Sequence, residues 1–159
     1  MLEEQLGRIF TDKGLTLAVA ESCTGGLLAS RITDVAGSSV YFLGGVVSYA
    51  YSAKETLLGI DHALLETEGA VNEIVAKQMA RGVREKLGAD VAVGITGIAG
   101  PEGGTPEKPV GLVWIGLADA HSNRAECHIW KSDRVGNKHQ SVERALQMLV
   151  DWGEAASPR

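Results

Sequence analysis

Residues 15–26, LTLAVAESCTGG, decide the fold. LTLAVA has the apolar, β-leaning character of a buried strand. ESCTGG then turns the chain into a helix that sets Leu28, Ile32 and Val35 on one face before Gly37 ends it. A strand that empties through a short turn into a helix is the repeating unit of an α/β sheet. Upstream, Leu2, Leu6, Ile9 and Phe10 recur at helical spacing and Gly14 stops them, so an amphipathic helix leads directly into the strand.

Downstream, FLGGVVSY (42–49) reads as a second strand, in which Gly44 and Gly45 allow a bulge or the close approach of another backbone. A short helix follows around Ser52 to Leu58. Val75, Met79, Val83 and Leu87 repeat every four residues between a capping Asn72 and a closing Gly88, which predicts a helix over 72–87. ADVAVGIT (89–96) is a third apolar strand, opening into GIAGPEGGTPEKP, too rich in glycine and proline for regular structure. VGLVWIGLA (110–118) is continuously apolar, as a central strand covered on both faces should be. RAECHIW (124–130) alternates Ala125, Cys127 and Ile129 with polar neighbours and belongs nearer an edge. Asp133 is placed to cap a last helix striped by Val142, Ala145, Leu146, Leu149 and Val150, and the closing SPR is expected to fray. About five strands and five or six helices result, with helical crossovers early and a short link, DAHSN, between the last two strands. A mixed sheet between helix layers is expected.

The chain of 159 residues, 45% hydrophobic, has the size of one domain spanning 1–159. A formal net charge of −5 argues against a general nucleic-acid binder. Cys23 and Cys127 are too few for a disulfide framework and read as small hydrophobes in a reducing compartment. His62, His121, His128 and His139 lack metal-ligand spacing, so neither a metal nor another cofactor is expected. The acidic start MLEEQLGRIF is unlike a signal peptide, and no run reaches the roughly 18 apolar residues of a membrane span. A soluble cytoplasmic protein without membrane contact is the expectation.

Open sheets bind ligands beyond the carboxyl ends of their strands, so ESCTGG, SYAYSAK and GITGIAGPEGG should converge. In the first, Ser22 stands where strand gives way to helix, and Thr24, Gly25 and Gly26 leave N–H groups open to a developing oxyanion. The plain alternative is that Ser22 or Thr24 caps the helix. Cys23 competes as a thiolate nucleophile at the same helix start. In the second segment Lys54 follows Tyr49 by five residues, and a partly buried lysine can serve a serine as base. Lowering its pKa from about 10.4 to about 7.5 takes roughly 4 kcal/mol, within reach of desolvation and neighbouring cations. An exposed lysine paired with Glu55 is the alternative. In the third, Thr96, Gly97, Gly100, Gly103 and Gly104 offer backbone suited to wrapping a phosphate or sugar, or a plain turn, matching neither the Walker pattern nor G-x-G-x-x-G. Arg134 and Lys138, one helical turn apart, can share one anion beside the helix dipole or form a solvated face.

The wording of these segments is more specific than their spacing. AESCTGGLLASRITDVAGSSVYFLGGVVSYA, then Lys54, then GITGIAGPEGGTPEKPVGLVW resemble the CinA C-terminal domain family from the first helix to the last. Its stand-alone members include pyridine-nucleotide amidohydrolases that convert nicotinamide mononucleotide to nicotinate mononucleotide and ammonia. The resemblance implies an α/β fold, a three-layer α/β/α sandwich with a mixed, mostly parallel sheet. It implies a Ser22/Lys54 dyad that deamidates a small nucleotide in pyridine nucleotide recycling, and a homo-oligomer, usually a dimer. On this reading the N–H groups around Cys23, Thr24, Gly25 and Gly26 hold the oxyanion, and Tyr49 steers substrate or relays protons. Thr96, the glycine loop, Arg134 and Lys138 hold the ribose phosphate. Two departures stand out: Tyr49-Ala50-Tyr51 where relatives commonly read Tyr-Ser-Asn, and Lys138 where a second arginine often follows. They leave open a second reading, a nucleotide-binding or regulatory module without hydrolysis.

Overall fold

Over residues 17–20, 91–95 and 115–118 large and small residues alternate, and the two helix layers divide accordingly. In a computed structural model describing residues 1–159, the elements run α1 (Leu2–Lys13), β1 (Leu17–Glu21), α2 (Leu27–Thr33), a 3-10 turn (Ser38–Val40), β2 (Phe42–Val47), α3 (Tyr51–Leu58), α4 (His62–Glu68), α5 (Glu73–Leu87), β3 (Val91–Gly97), β4 (Leu112–Ala118), β5 (Asn123–Ile129) and α6 (Arg134–Ala155). The strands form one sheet in the order β2-β1-β3-β4-β5. β1 pairs in parallel with β2 and β3, and β4 pairs antiparallel with β3 and β5. Four strands therefore point one way and β4 opposes them, the mixed, mostly parallel sheet of an α/β/α sandwich.

Leu17, Val19, Val91, Val93, Ile95, Val113, Ile115 and Leu117 project into a core with Leu6 and Phe10 of α1, Leu28 and Ile32 of α2, and Val142, Leu146 and Leu149 of α6. The intervening Ala18, Ala20 and Ala92 face Val75, Met79 and Val83 of α5 with Leu58 and Leu65. Small residues let α5 lie close. A Cβ at Gly94 would stand 2.7 Å from Ala80 N, and one at Gly116 would run into the Ala76 carbonyl oxygen.

The predicted caps are present: Asn72 accepts from Val75 N–H, Asp133 accepts from Gly136 N–H, and Gly14 and Gly88 close α1 and α5 in the left-handed region. Four details differ from expectation. α2 stops at Thr33, so Val35 lies beyond it, and a 3-10 turn fills the gap before β2. α4 occupies a segment with no expected helix, capped by Asp61, whose carboxylate accepts from Ala63 N–H. β5 is an edge strand as expected, but Cys127 and Ile129 are exposed while Glu126 and His128 are half-buried. The reason is the Arg144 guanidinium of α6, which donates twice to Glu126 and draws that face inward. Finally, the terminal segment is tied rather than frayed, since Arg159 N–H donates to the Lys13 carbonyl.

In β2 the pairing slips between Leu17 and Ala18, so that Gly44 rather than Leu43 faces Ala18. A Cβ at the following Gly45 would lie 2.7 Å from Val19 Cγ2. Both roles anticipated for the glycine pair, bulge and close approach, are thus used. Because β1 lies between β2 and β3, the chain leaves it through α2 on one face and returns to β3 through α3, α4 and α5 on the other. That is a topological switch point, where strand ends open a crevice. No helix is long and apolar enough to cross a membrane.

Candidate active site

Ser22 follows β1 directly and its N–H donates to Ile95 O of β3, which pins the residue to the neighbouring strand. Neither it nor Thr24 caps α2: the cap position is Gly26, with no side-chain bond. The capping oxygens come instead from Glu21, a residue the sequence reading passed over. Its buried carboxylate accepts from Leu28 N–H at 2.9 Å, Ala29 N–H at 3.1 Å and Thr24 Oγ1 at 2.7 Å. A carboxylate one residue before the serine, with a hydroxyl three residues on, was the available signal.

The turn over 22–26 needs two successive left-handed residues, supplied by Gly25 (φ 63°) and Gly26 (φ 99°). Gly25 N–H donates to Ser22 O, while the N–H groups of Cys23, Thr24 and Gly26 have no protein acceptor. A β-carbon, which would disfavour this conformation, is absent at both positions.

Lys54 lies in the first full turn of α3, which Ala50 precedes in extended conformation. It is 1% exposed. Its Nζ is 2.9 Å from Ser22 Oγ and donates to the carbonyls of Ser48 (2.7 Å) and Tyr49 (3.2 Å). The exposed-lysine alternative does not hold, because Glu55 pairs with His62 at 2.7 Å instead. Burial holds the Lys54 pKa below the ordinary lysine value, since no carboxylate compensates the lost hydration of an ammonium. Burial pushes the Cys23 thiol the other way, up to about 11. At neutral pH it is therefore a thiol, which argues against the thiolate alternative.

A cavity of about 250 Å³ opens above this pair, lined by Ser22, Cys23, Tyr49, Tyr51, Lys54, Ala70, Val71, Thr96 and Gly97. Clefts of about 530 and 550 Å³ lie elsewhere, beside Trp152 and between α1 and residues 35–41, and neither contains a nucleophile facing a base. Thr96 Oγ1 donates to Ala70 O at 2.7 Å and so fixes the opposite wall. Arg134 bridges two sequence-predicted groups, donating to Gly100 O at 2.7 Å and to the Tyr49 hydroxyl at 3.0 Å. The Tyr49 phenol is thus engaged by Arg134, while its carbonyl serves Lys54. Lys138 Nζ lies 3.9 Å from the Cβ position of Gly25, beside the serine turn. Gly103 and Gly104 are exposed and line no part of this cavity. Their loop instead folds on itself, with Gly104 against Val110. Tyr51, absent from the expected binding set, stands at the cavity mouth, its hydroxyl 3.7 Å from the Cβ position of Gly69.

With this geometry in hand, the CinA C-terminal domain model matches residues 1–152. A CinA-like protein of Salinibacter ruber is 54% identical over 146 residues, covering 92% of this chain and 35% of the relative. One from Geobacter sulfurreducens is 51% identical over 152 residues, covering 95% and 36%. The chain thus spans little more than a third of these curated relatives. Among solved structures, a competence-damaged protein (CinA) superfamily protein from Klebsiella pneumoniae superposes with a TM-score of 0.92 at 30% identity, covering 98% of this chain and 97% of that one. The competence/damage-inducible protein CihA from Agrobacterium tumefaciens gives 0.87 at 41% identity, covering 94% of each.

Proposed function

The chain belongs to the CinA C-terminal domain family, and from that premise we propose that it is an amidohydrolase converting nicotinamide mononucleotide to nicotinate mononucleotide and ammonia. The observation that carries the reading is the 2.9 Å approach of Ser22 Oγ to a buried Lys54 Nζ. Burial favours the neutral amine. A neutral amine has two N–H bonds, and the carbonyls of Ser48 and Tyr49 take them, which leaves its lone pair for the Ser22 proton.

Ser22 Oγ attacks the carboxamide carbon as Lys54 takes the hydroxyl proton. The N–H groups of Cys23, Thr24 and Gly26 receive the oxyanion, each such donor contributing about 3 to 4 kcal/mol to lowering the barrier. Lys54 returns the proton to nitrogen as the C–N bond breaks, and ammonia leaves an acyl ester on Ser22. Water then attacks that ester with Lys54 again as base, releasing the carboxylic acid and restoring the serine. The cavity of about 250 Å³ accommodates the pyridine ring and its amide. Arg134, bonded to the Tyr49 hydroxyl, and Lys138, beside Gly25, are assigned to the phosphate, with Thr96 and Gly97 forming the wall.

The test is ammonia release from nicotinamide mononucleotide without added metal, beside folded Ser22→Ala and Lys54→Ala variants. Both substitutions are expected to lower turnover at least about a thousandfold. Full turnover by folded Ser22→Ala would overturn the assignment. Nucleotide binding without ammonia release by the intact protein would favour the binding-module reading.

A further inference from the structure

Glu21 is 1% exposed at the end of β1, and no lysine or arginine pairs with it. A buried carboxylate without a cation is tolerated only when donors surround it. Here the donors are those of the nucleophile turn and the helix beyond: Thr24 Oγ1 within the turn, and Leu28 and Ala29 N–H past it. The Glu21 backbone reaches the other half of the dyad. Its carbonyl accepts from Ser48 N–H at 2.9 Å, and the Ser48 carbonyl in turn accepts from Lys54 Nζ. One residue is thus joined by its side chain to the serine turn and by its backbone to the lysine.

We propose, resting on the reading of Ser22 as nucleophile, that Glu21 is a positioning residue for the reaction at Ser22. Its carboxylate clamps the turn over 22–26 from within and from beyond. The clamp holds Ser22 Oγ toward Lys54 and keeps the N–H groups of Cys23, Thr24 and Gly26 clear of protein acceptors. Glutamine at 21 retains the shape but puts an amide NH2 where an oxygen accepted an N–H donor, so the clamp loosens while the bulk remains. A residue that only supported the fold would lower stability and leave the folded protein's chemistry intact. A positioning residue slows the chemistry of folded protein and leaves ground-state binding alone.

The experiment uses the full chain with Glu21→Gln, its folding verified by circular dichroism and thermal unfolding. A fluorophosphonate reports on Ser22 independently of the natural substrate: the Ser22 Oγ–P bond forms, fluoride leaves, and the serine proton passes to Lys54. The rate is read by intact mass against pH, together with kcat and KM for nicotinamide mononucleotide. The expected result is labelling slower by about tenfold or more, with an unmoved pH midpoint because the Lys54 contacts are retained, and a matching fall in kcat at unchanged KM. Labelling of folded Glu21→Gln at the parent rate overturns the proposal. Thr24→Val, which removes only the hydroxyl arm, is expected to slow labelling by a smaller factor, and parent-rate labelling there overturns it even if Glu21→Gln does not fold. Failure of the unsubstituted protein both to label and to release ammonia is a different result, refuting Ser22 as nucleophile and this inference with it.

Discussion

Lys54 is almost fully buried at the start of α3 and hydrogen-bonds only with neutral partners: one hydroxyl and two carbonyls. Its depressed pKa gives stability a specific pH dependence. Between the folded pKa and the unfolded value of about 10.4, the unfolded chain binds a proton that the folded chain does not, so stability rises with pH across that window. Below the folded pKa the full penalty for burying the charge is present. In Lys54→Met this titration is gone, although the Ser48 and Tyr49 carbonyls lose their donor. Denaturant unfolding of the two proteins should therefore show the unsubstituted chain gaining relative to Lys54→Met as pH rises toward about 10, by about 1.4 kcal/mol for each unit of depression. A difference that does not change with pH would show that burial leaves the lysine unshifted. At this scale Ser22, Lys54, Thr96 and Arg134 were legible because each ends a strand or begins a helix. Glu21 was not: a single acidic residue at a strand end looks like an exposed terminus, and only its folded environment reveals three donors converging on it.

The elements owe their positions to the size alternation in the strands. α5 rests on Ala18, Ala20, Ala92, Gly94 and Gly116, whereas α1, α2 and α6 rest on the valines, leucines and isoleucines of the opposite face. At Gly116 the constraint is backbone against backbone, since an added Cβ would collide with the Ala76 carbonyl and could not be relieved by turning a side chain. Gly116→Ala should accordingly cost about 2 to 3 kcal/mol and lower the Tm by roughly 5–10 °C. An unchanged melting curve would show that α5 can move away from the sheet without penalty. The long helices were legible because their signals were redundant, as with Asn72 before α5 and Gly88 after it. α4 was not, because seven residues offer barely two turns of periodicity, even though Asp61 and Gly69 bracket it. The exposed Cys127 and Ile129 likewise follow from Arg144, an interaction from α6 that no pattern within β5 encodes.

Strand order is a property of the whole molecule, of which the sequence carried the number of strands, an inner β4, an edge β5 and the short final link, but not the neighbours of β1. Placing β1 between β2 and β3 is what brings the ends of three strands, distant in sequence, to one crevice. α6 then returns from the far end of the chain to set Arg134 against Tyr49 and the Gly100 carbonyl, and Lys138 against the serine turn. On the proposed function, recognition of the phosphate and chemistry at the amide would fall to different elements, and substitution should separate them. With Arg134→Ala, kcat/KM for nicotinamide mononucleotide should fall about 10- to 150-fold, as expected for losing a charge-assisted hydrogen bond of about 1.5 to 3 kcal/mol. The loss should lie mainly in KM. Nicotinamide riboside, the same molecule without its phosphate, should be turned over by parent and variant at rates within about a factor of two, since it never engages that charge. Equal losses on both substrates would instead mean that Arg134 acts by holding Tyr49 and the Gly100 loop in place, and the phosphate would then fall to Lys138 beside Gly25.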